Sequence, residues 1–186
     1  PGEALKLLSD PEVAVSHTIG VPANWLFMSQ LPEFENSSFP TMVAPAVGGS
    51  PTPVPLIEAW AAKGMPLQQA YGMTETSPMG TISRANRPVA KLADADLDRQ
   101  LLKQGRLPYG VEMKIVLDDG SRAPHDGETA GDIWVKGPWI ANGYLHGEGG
   151  DQLDDEGFFP TGDVGHIDQY GFMKITDRSK DVIKSG

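Results

Sequence analysis

Apolar and polar residues follow two different rhythms along this chain, and the rhythm changes near Gly105. Before that point the apolar positions fall at helical spacing or in short unbroken runs, the mark of an α/β layer. A short helix is expected over residues 3–9, followed by the apolar run Val13-Ala14-Val15 and a second helix from Pro22 to about Gln30. Thr41-Met42-Val43-Ala44 is a candidate buried strand, and Gly48-Gly49-Ser50-Pro51-Thr52-Pro53 reads as a turn. Pro53 and Pro55 suit the first turn of a helix whose apolar face is Leu56, Ile57, Trp60 and Ala61; Lys63-Gly64 then ends it with a cation and a glycine. Residues 67–71 form a strand candidate leading into Gly72, and 94–104 is expected to be helical with Leu97, Leu101 and Leu102 turned inward.

Past Gly105 the period becomes two. Val111, Met113, Ile115 and Leu117 alternate with Glu112 and Lys114, and Asp119-Gly120 marks a turn. Further strands are expected at 131–136, 164–168 and 172–176, the last two joined by a tight turn at Tyr170-Gly171. The expected architecture is an α/β subdomain over residues 1–104 followed by a small antiparallel β-barrel-like subdomain over residues 105–176.

Composition narrows the function classes. Of 186 residues 39% are hydrophobic, enough for a real core, while 22 glycines and 16 prolines argue for many tight turns and against a helical bundle. No apolar run approaches the roughly eighteen residues of a transmembrane segment, and the start, Pro1-Gly2-Glu3-Ala4, is neither basic nor apolar as a leader would be. The absence of cysteine excludes a disulfide scaffold and any thiolate metal site, and favours a cytoplasmic setting. A net charge of −10, most of it beyond residue 90, would repel a phosphate backbone, so nucleic acid is not an expected partner. A single nucleotide is still compatible, because one local cation outweighs distant, screened carboxylates.

Tyr71-Gly72-Met73-Thr74-Glu75-Thr76 is the most informative stretch. It sets an aromatic face, a residue without a side chain, a hydroxyl and a carboxylate within one turn after a strand. That set could stack on a base, bond a phosphate oxygen and hold a hard cation. It reads equally as a strand entering a helix start, with Thr74 as cap and Glu75 in the first turn. Asp163, in Thr161-Gly162-Asp163, could accept both hydroxyls of a ribose or could be a turn aspartate. The run Asp177-Arg178-Ser179-Lys180-Asp181 reads by itself as a solvated exit. His17, His125, His146 and His166 are expected at the surface or in turns.

These segments occur in one order along the chain, with Gly105-Arg106, Gly131-Asp132-Ile133-Trp134-Val135-Lys136-Gly137-Pro138 and Asn142-Gly143-Tyr144 between them. The ordered set resembles the acyl-adenylate-forming superfamily, which includes acyl- and aryl-CoA synthetases, peptide-synthetase adenylation domains and beetle luciferases, and the resemblance covers nearly the whole chain. It implies that the chain is part of the large N-terminal domain of an ATP-dependent acid–CoA ligase, with ATP, Mg2+ and CoA as partners. It further implies that Tyr71 packs on adenine beside Gly72, Thr74 touches the α-phosphate and Glu75 binds magnesium. Gly48, Gly49 and Ser50 would lie on the other side of adenine, Gln69 and Ala70 would line the nucleotide, Asp163 would hold the ribose, and Arg178 would contact ribose or phosphate. Residues 177–186 become a hinge toward a small C-terminal domain, with Lys180 as pivot and Lys184 serving the thioester-forming half-reaction.

The family's lysine-bearing phosphate loop is not among these residues, so the chain alone is expected to be inactive. Lys103-Gln104-Gly105-Arg106 and Gly137-Pro138-Trp139 most resemble bacterial medium- and long-chain fatty acyl-CoA ligases. Methylthiopropionate-activating enzymes are the leading variant; a peptide-synthetase adenylation domain and a non-catalytic binding module remain as alternatives. Val21, Trp25 and Ala46 are candidates to line the acyl pocket, with Trp25 equally readable as helix core.

Overall fold

The computed structural model describes the backbone of residues 1–178 and the side chains through Asp177. It divides into two compact units, Pro1–Ala70 and the chain from Tyr71 onward.

The first unit is a parallel sheet with helices. Its order is α1 (Gly2–Ser9), β1 (His17–Gly20), α2 (Pro22–Ser29), a 3-10 turn at Pro32–Asn36, β2 (Ala44–Gly48), α3 (Val54–Ala61) and β3 (Gln68–Tyr71). Strands β1, β2 and β3 pair in parallel, Ile19 opposite Ala46 and Val47 opposite Gln69. The expected strand at 41–44 is displaced: the pairing begins at Ala44, because residues 41–43 are anchored crosswise. The Thr41 hydroxyl donates to Val15 O (3.0 Å), and Val43 and Ala44 N–H both donate to Ser16 O.

The core of this unit is centred on Trp60. Trp25 meets it edge-on at 4.9 Å, Phe34 at 4.7 Å, and Phe39 lies tilted at 5.3 Å. The Trp60 indole donates to Trp25 O at 3.2 Å. With Leu5, Leu8, Met28, Val47, Leu56, Met65 and Leu67 these rings form one buried cluster. Edge-to-face rings of this kind add stabilisation beyond the area they bury.

The second unit is mainly a four-stranded antiparallel meander, β5 (Glu112–Val116), β6 (Gly131–Lys136), β7 (Phe159–Ile167) and β8 (Met173–Arg178), with each strand beside its sequence neighbour. A short strand, β4 (Thr81–Ile82), and a helix, α4 (Asp94–Leu101), precede it. They attach to the meander early: Ile82 bridges Arg106, and Gly105 bridges Met173. The change of unit therefore falls between Ala70 and Tyr71, 34 residues before the expected change of periodicity at Gly105. Met113, Ile115, Ile133, Val135, Phe159, Ile167 and Met173 form the core.

Three side chains differ from the expected pattern. Lys114, on the polar side of the β5 alternation, is only 8% exposed; it is ion-paired to Asp154 and Glu156 and lies 4.5 Å from the Phe158 ring centroid. Burial works against its ammonium, but the hydrogen bonds and charges of the two carboxylates outweigh it and raise its pKa. In α4 the leucines are half-buried and Gln100 is the buried residue, because its amide donates to Asp168. His166 is buried on β7, where burial first, and then the nearby Lys174 and Lys103, lower its pKa. Among the described residues no helix is long and apolar enough to cross a membrane.

Candidate functional site

The loop after β3 winds tightly on itself. A Cβ at Gly72 would overlap the carbonyl oxygen of Pro78 and stand 2.8 Å from its carbonyl carbon and 2.9 Å from Thr76 Oγ1, so only glycine lets the two backbone segments approach. Gly80 N–H donates to Tyr71 O (2.9 Å), closing the loop. Residues Thr74–Thr76 form one 3-10 turn without a side-chain cap. Thr74 keeps its side chain exposed, and the wholly buried Thr76 takes the structural role: its hydroxyl accepts from Met73 N–H and lies 2.7 Å from Pro78 O.

Asp163 is not in a turn but inside β7, at an irregularity. Asp132 faces Val164 and Trp134 faces Pro160, so residues 161–163 of β7 stand against Ile133 alone. Gly162 takes the left-handed conformation (φ +75°) that this bulge requires. The Thr161 hydroxyl donates to Ile133 O (2.8 Å) and accepts from Asp163 N–H (3.2 Å). The bulge brings the carboxylate to Tyr71, whose phenol donates to Asp163 Oδ2 at 2.7 Å.

A second connection comes from the segment after β6. Trp139 Nε1 donates to Met79 O (3.2 Å), Ala141 N–H to Glu75 O (2.8 Å), and the Tyr144 phenol to Glu75 Oε1 (2.7 Å). The Tyr144 ring stands edge-on to Phe159, centroids 6.3 Å apart. The hydrogen bond to Glu75 first, then burial and the carboxylate charge, raise the Tyr144 pKa. Tyr71, Gly72, Thr74 and Glu75 thus share one loop, and Asp163 is joined to it directly.

In the first unit the remaining candidates gather at the carboxyl ends of the parallel strands, where open α/β sheets place their ligands. Val21 follows β1, Gly48–Ser50 close β2, and Gln69 and Ala70 end β3. A Cβ at Gly49 would lie 3.5 Å from Val21 Cγ1, so the glycine turn and Val21 are neighbours. Ala46 is buried within β2. Trp25 is 1% exposed and packs on Trp60, which makes it part of the helix core. The backbone of Arg178 is the register partner of Asp163 across β7 and β8. Its side chain, together with Lys180 and Lys184, lies outside the described residues.

Among the described residues no group of three or more His, Asp or Glu side chains could hold a metal ion. Glu75 offers a single carboxylate with one oxygen engaged by Tyr144. That suits a cation whose other ligands are phosphate oxygens and water, as magnesium in nucleotide sites usually is. Nothing in the local sequence marks Tyr144 or Thr76 for these contacts beyond their places in the Asn142-Gly143-Tyr144 and Tyr71–Thr76 segments.

Comparison with known proteins fits this arrangement. A family model described as AMP-binding enzyme matches residues 7–145. The medium-chain-fatty-acid–CoA ligase of Ectopseudomonas oleovorans is 41% identical over 196 residues, an alignment covering 100% of this chain and 35% of the relative. The 3-methylmercaptopropionyl-CoA ligase of Ruegeria pomeroyi is 40% identical over 189 residues, covering 100% and 34%. The inhibitor-bound N-terminal domain of FACL13 from Mycobacterium tuberculosis superposes with a TM-score of 0.77 at 30% identity, covering 95% of this chain and 41% of that one. The chain spans about a third of the length of the curated relatives it matches.

Proposed function

The chain belongs to the AMP-binding enzyme family, and from that premise we propose that the protein carrying it is an AMP-forming acid–CoA ligase acting on a fatty acid. In the first half-reaction a substrate carboxylate oxygen attacks the α-phosphorus of ATP, and the bond to pyrophosphate breaks. In the second a CoA thiol attacks the acyl carbonyl of the adenylate, AMP leaves with the former carboxylate oxygen, and the thiol proton passes to solvent.

The observation that carries this reading is the Tyr71–Asp163 hydrogen bond, because it joins a ring suited to adenine with a carboxylate suited to a ribose diol. Asp163 accepts the phenol at Oδ2, and an ionised carboxylate accepts several hydrogen bonds at once, the capacity that a ribose diol calls on. The exposed Thr74 hydroxyl donates to the α-phosphate. Glu75 would be the protein's ligand for Mg2+, whose charge would offset that of the phosphates. The family resemblance assigns Gly48–Ser50, Gln69 and Ala70 to the base and Arg178 to ribose or phosphate. Positioning and neutralisation carry most of the catalysis in such a transfer. Lys180 and Lys184 serve the hinge and the thioester step. A cytoplasmic setting suits the cysteine-free sequence.

A second substrate reading, a short thioether acid, rests on the near-equal identity to the two relatives. Each buried methylene contributes about 0.8 kcal/mol, so a few substitutions beside Val21 and Ala46 decide between them. The test uses the full-length protein and ATP–pyrophosphate exchange with octanoate or 3-methylmercaptopropionate. Asp163→Asn retains the Tyr71 contact and removes the charge; KM for ATP should rise roughly 10- to 100-fold, the effect of losing charge-assisted hydrogen bonds. Exchange with unaltered KM in that variant, or no exchange with any carboxylate in the wild type, would refute the reading.

A further inference from the structure

Two phenols cross-link the same two segments. Tyr71 and Glu75 sit on one loop; Asp163 and Phe159 sit on one strand, β7. Tyr71 reaches from the loop to Asp163, and Tyr144, standing edge-on to Phe159, reaches back to Glu75. Ala141 N–H holds the Glu75 carbonyl and Trp139 holds Met79 O, so the 139–144 segment is a strap over the loop with its phenol at the carboxylate.

We propose that Tyr144 is a positioning residue for Glu75: it holds the carboxylate in one orientation, with one oxygen engaged, so that the other edge meets a divalent cation arriving with the nucleotide. The inference rests on the metal role assigned to Glu75 above. A half-exposed glutamate on a short turn has three rotatable side-chain bonds, and a ligand that must be ordered on binding loses affinity for the ion. Tyr144 removes that freedom beforehand. Its own ring is steadied by Phe159, whose strand continues into the bulge bearing Asp163. The strap therefore sets the two carboxylates of the site relative to each other.

The test has two arms. In the 186-residue chain labelled with 13Cζ-tyrosine, the Tyr144 resonance at fixed neutral pH should move in Glu75→Gln, which weakens its hydrogen bond, and addition of Mg2+ with α,β-methylene-ATP should shift the same resonance in the wild type. In the full-length enzyme, Tyr144→Phe should raise the half-saturating Mg2+ concentration about five- to ten-fold, the effect of one such hydrogen bond, while the rate at saturating Mg2+ stays within about twofold. An unchanged Mg2+ dependence, or a fall in rate equal at every Mg2+ concentration, would overturn the proposal, since a merely structural tyrosine would behave so. Should the wild type form no adenylate, the reading of the site falls, and the resonance arm still decides whether Tyr144 holds Glu75.

Discussion

Replacing Gly72 by alanine tests the geometry of the Tyr71–Gly80 loop with a single methyl group. Gly72 does not lie in the left-handed region, so alanine meets no backbone strain and the whole effect is steric. The added carbon would overlap Pro78 O and stand 2.8 Å and 2.9 Å from Pro78 C and Thr76 Oγ1. Two of these three atoms are backbone and cannot rotate away. Relief requires the loop to open, which breaks the Gly80–Tyr71 hydrogen bond and disturbs the contacts of the Thr76 hydroxyl. Overpacking of this kind costs about 1–3 kcal/mol and each lost hydrogen bond about 0.5–1.5, so a loss of about 3 kcal/mol is expected. For a chain of this size that lowers Tm by roughly 6–12 °C. Differential scanning fluorimetry of the 186-residue chain measures it, with Gly143→Ala as control, since nothing lies within 4 Å of the Cβ position there. AMP binding, followed by calorimetry at a temperature where both variants are folded, should be lost in Gly72→Ala alone. A Tm within about 1 °C of wild type with AMP binding retained would refute the reasoning.

Lys103→Met should destabilise the second unit by about 2–4 kcal/mol in urea, because it removes the cation from the buried Asp168 while Gln100 and two backbone N–H groups remain; a change under about 0.5 kcal/mol would mean that the pair is dispensable. Asp168 titrates low in the fold, since the Lys103 and Gln100 hydrogen bonds outweigh its burial. Its stabilisation is therefore present above the unfolded carboxylate pKa of about 3.9 and lost as pH falls through the lower folded value. His166 has a depressed folded pKa, so the unfolded chain binds the proton more readily and stability declines as pH falls below about 6.5. His166→Gln should flatten the Tm profile between pH 7 and 5, and an identical slope in both proteins would exclude His166 as its source.

The helices and the meander were legible because their apolar spacing is regular, and α1, α2 and α3 lie where the pattern puts them. Strand β1 was not, since its one large apolar residue, Ile19, faces outward and leaves no alternation to read. Strand β2 was displaced because Pro45 and Gly48 look like breaks, although a short parallel strand accommodates both. At the site, motif order identified Tyr71, Glu75 and Asp163 as candidates, and the structure joins the first and last. What spacing could not give was the bulge: Thr161-Gly162-Asp163 has the composition of a turn, and only the register against Ile133 makes it a strand that delivers a carboxylate. Lys114 and Gln100 escaped for a related reason. Each is buried by partners distant in sequence, Asp154 and Asp168, and no local window contains both members.

The separation of Tyr71 from Asp163, 92 residues along the chain, has a consequence for synthesis. Sheet neighbours in the meander are sequence neighbours and can pair as they appear, whereas contacts between distant residues wait on closure of a long loop. Trp139 and Tyr144 reach Met79 and Glu75 across 60 and 69 residues. While the ribosome has yet to deliver β7, the Tyr71 phenol has no carboxylate to meet, and until residue 144 emerges Glu75 has no tether. A nascent chain must therefore extend through residue 163 before the Tyr144–Glu75 and Tyr71–Asp163 contacts can coexist, however early the parallel strands pair.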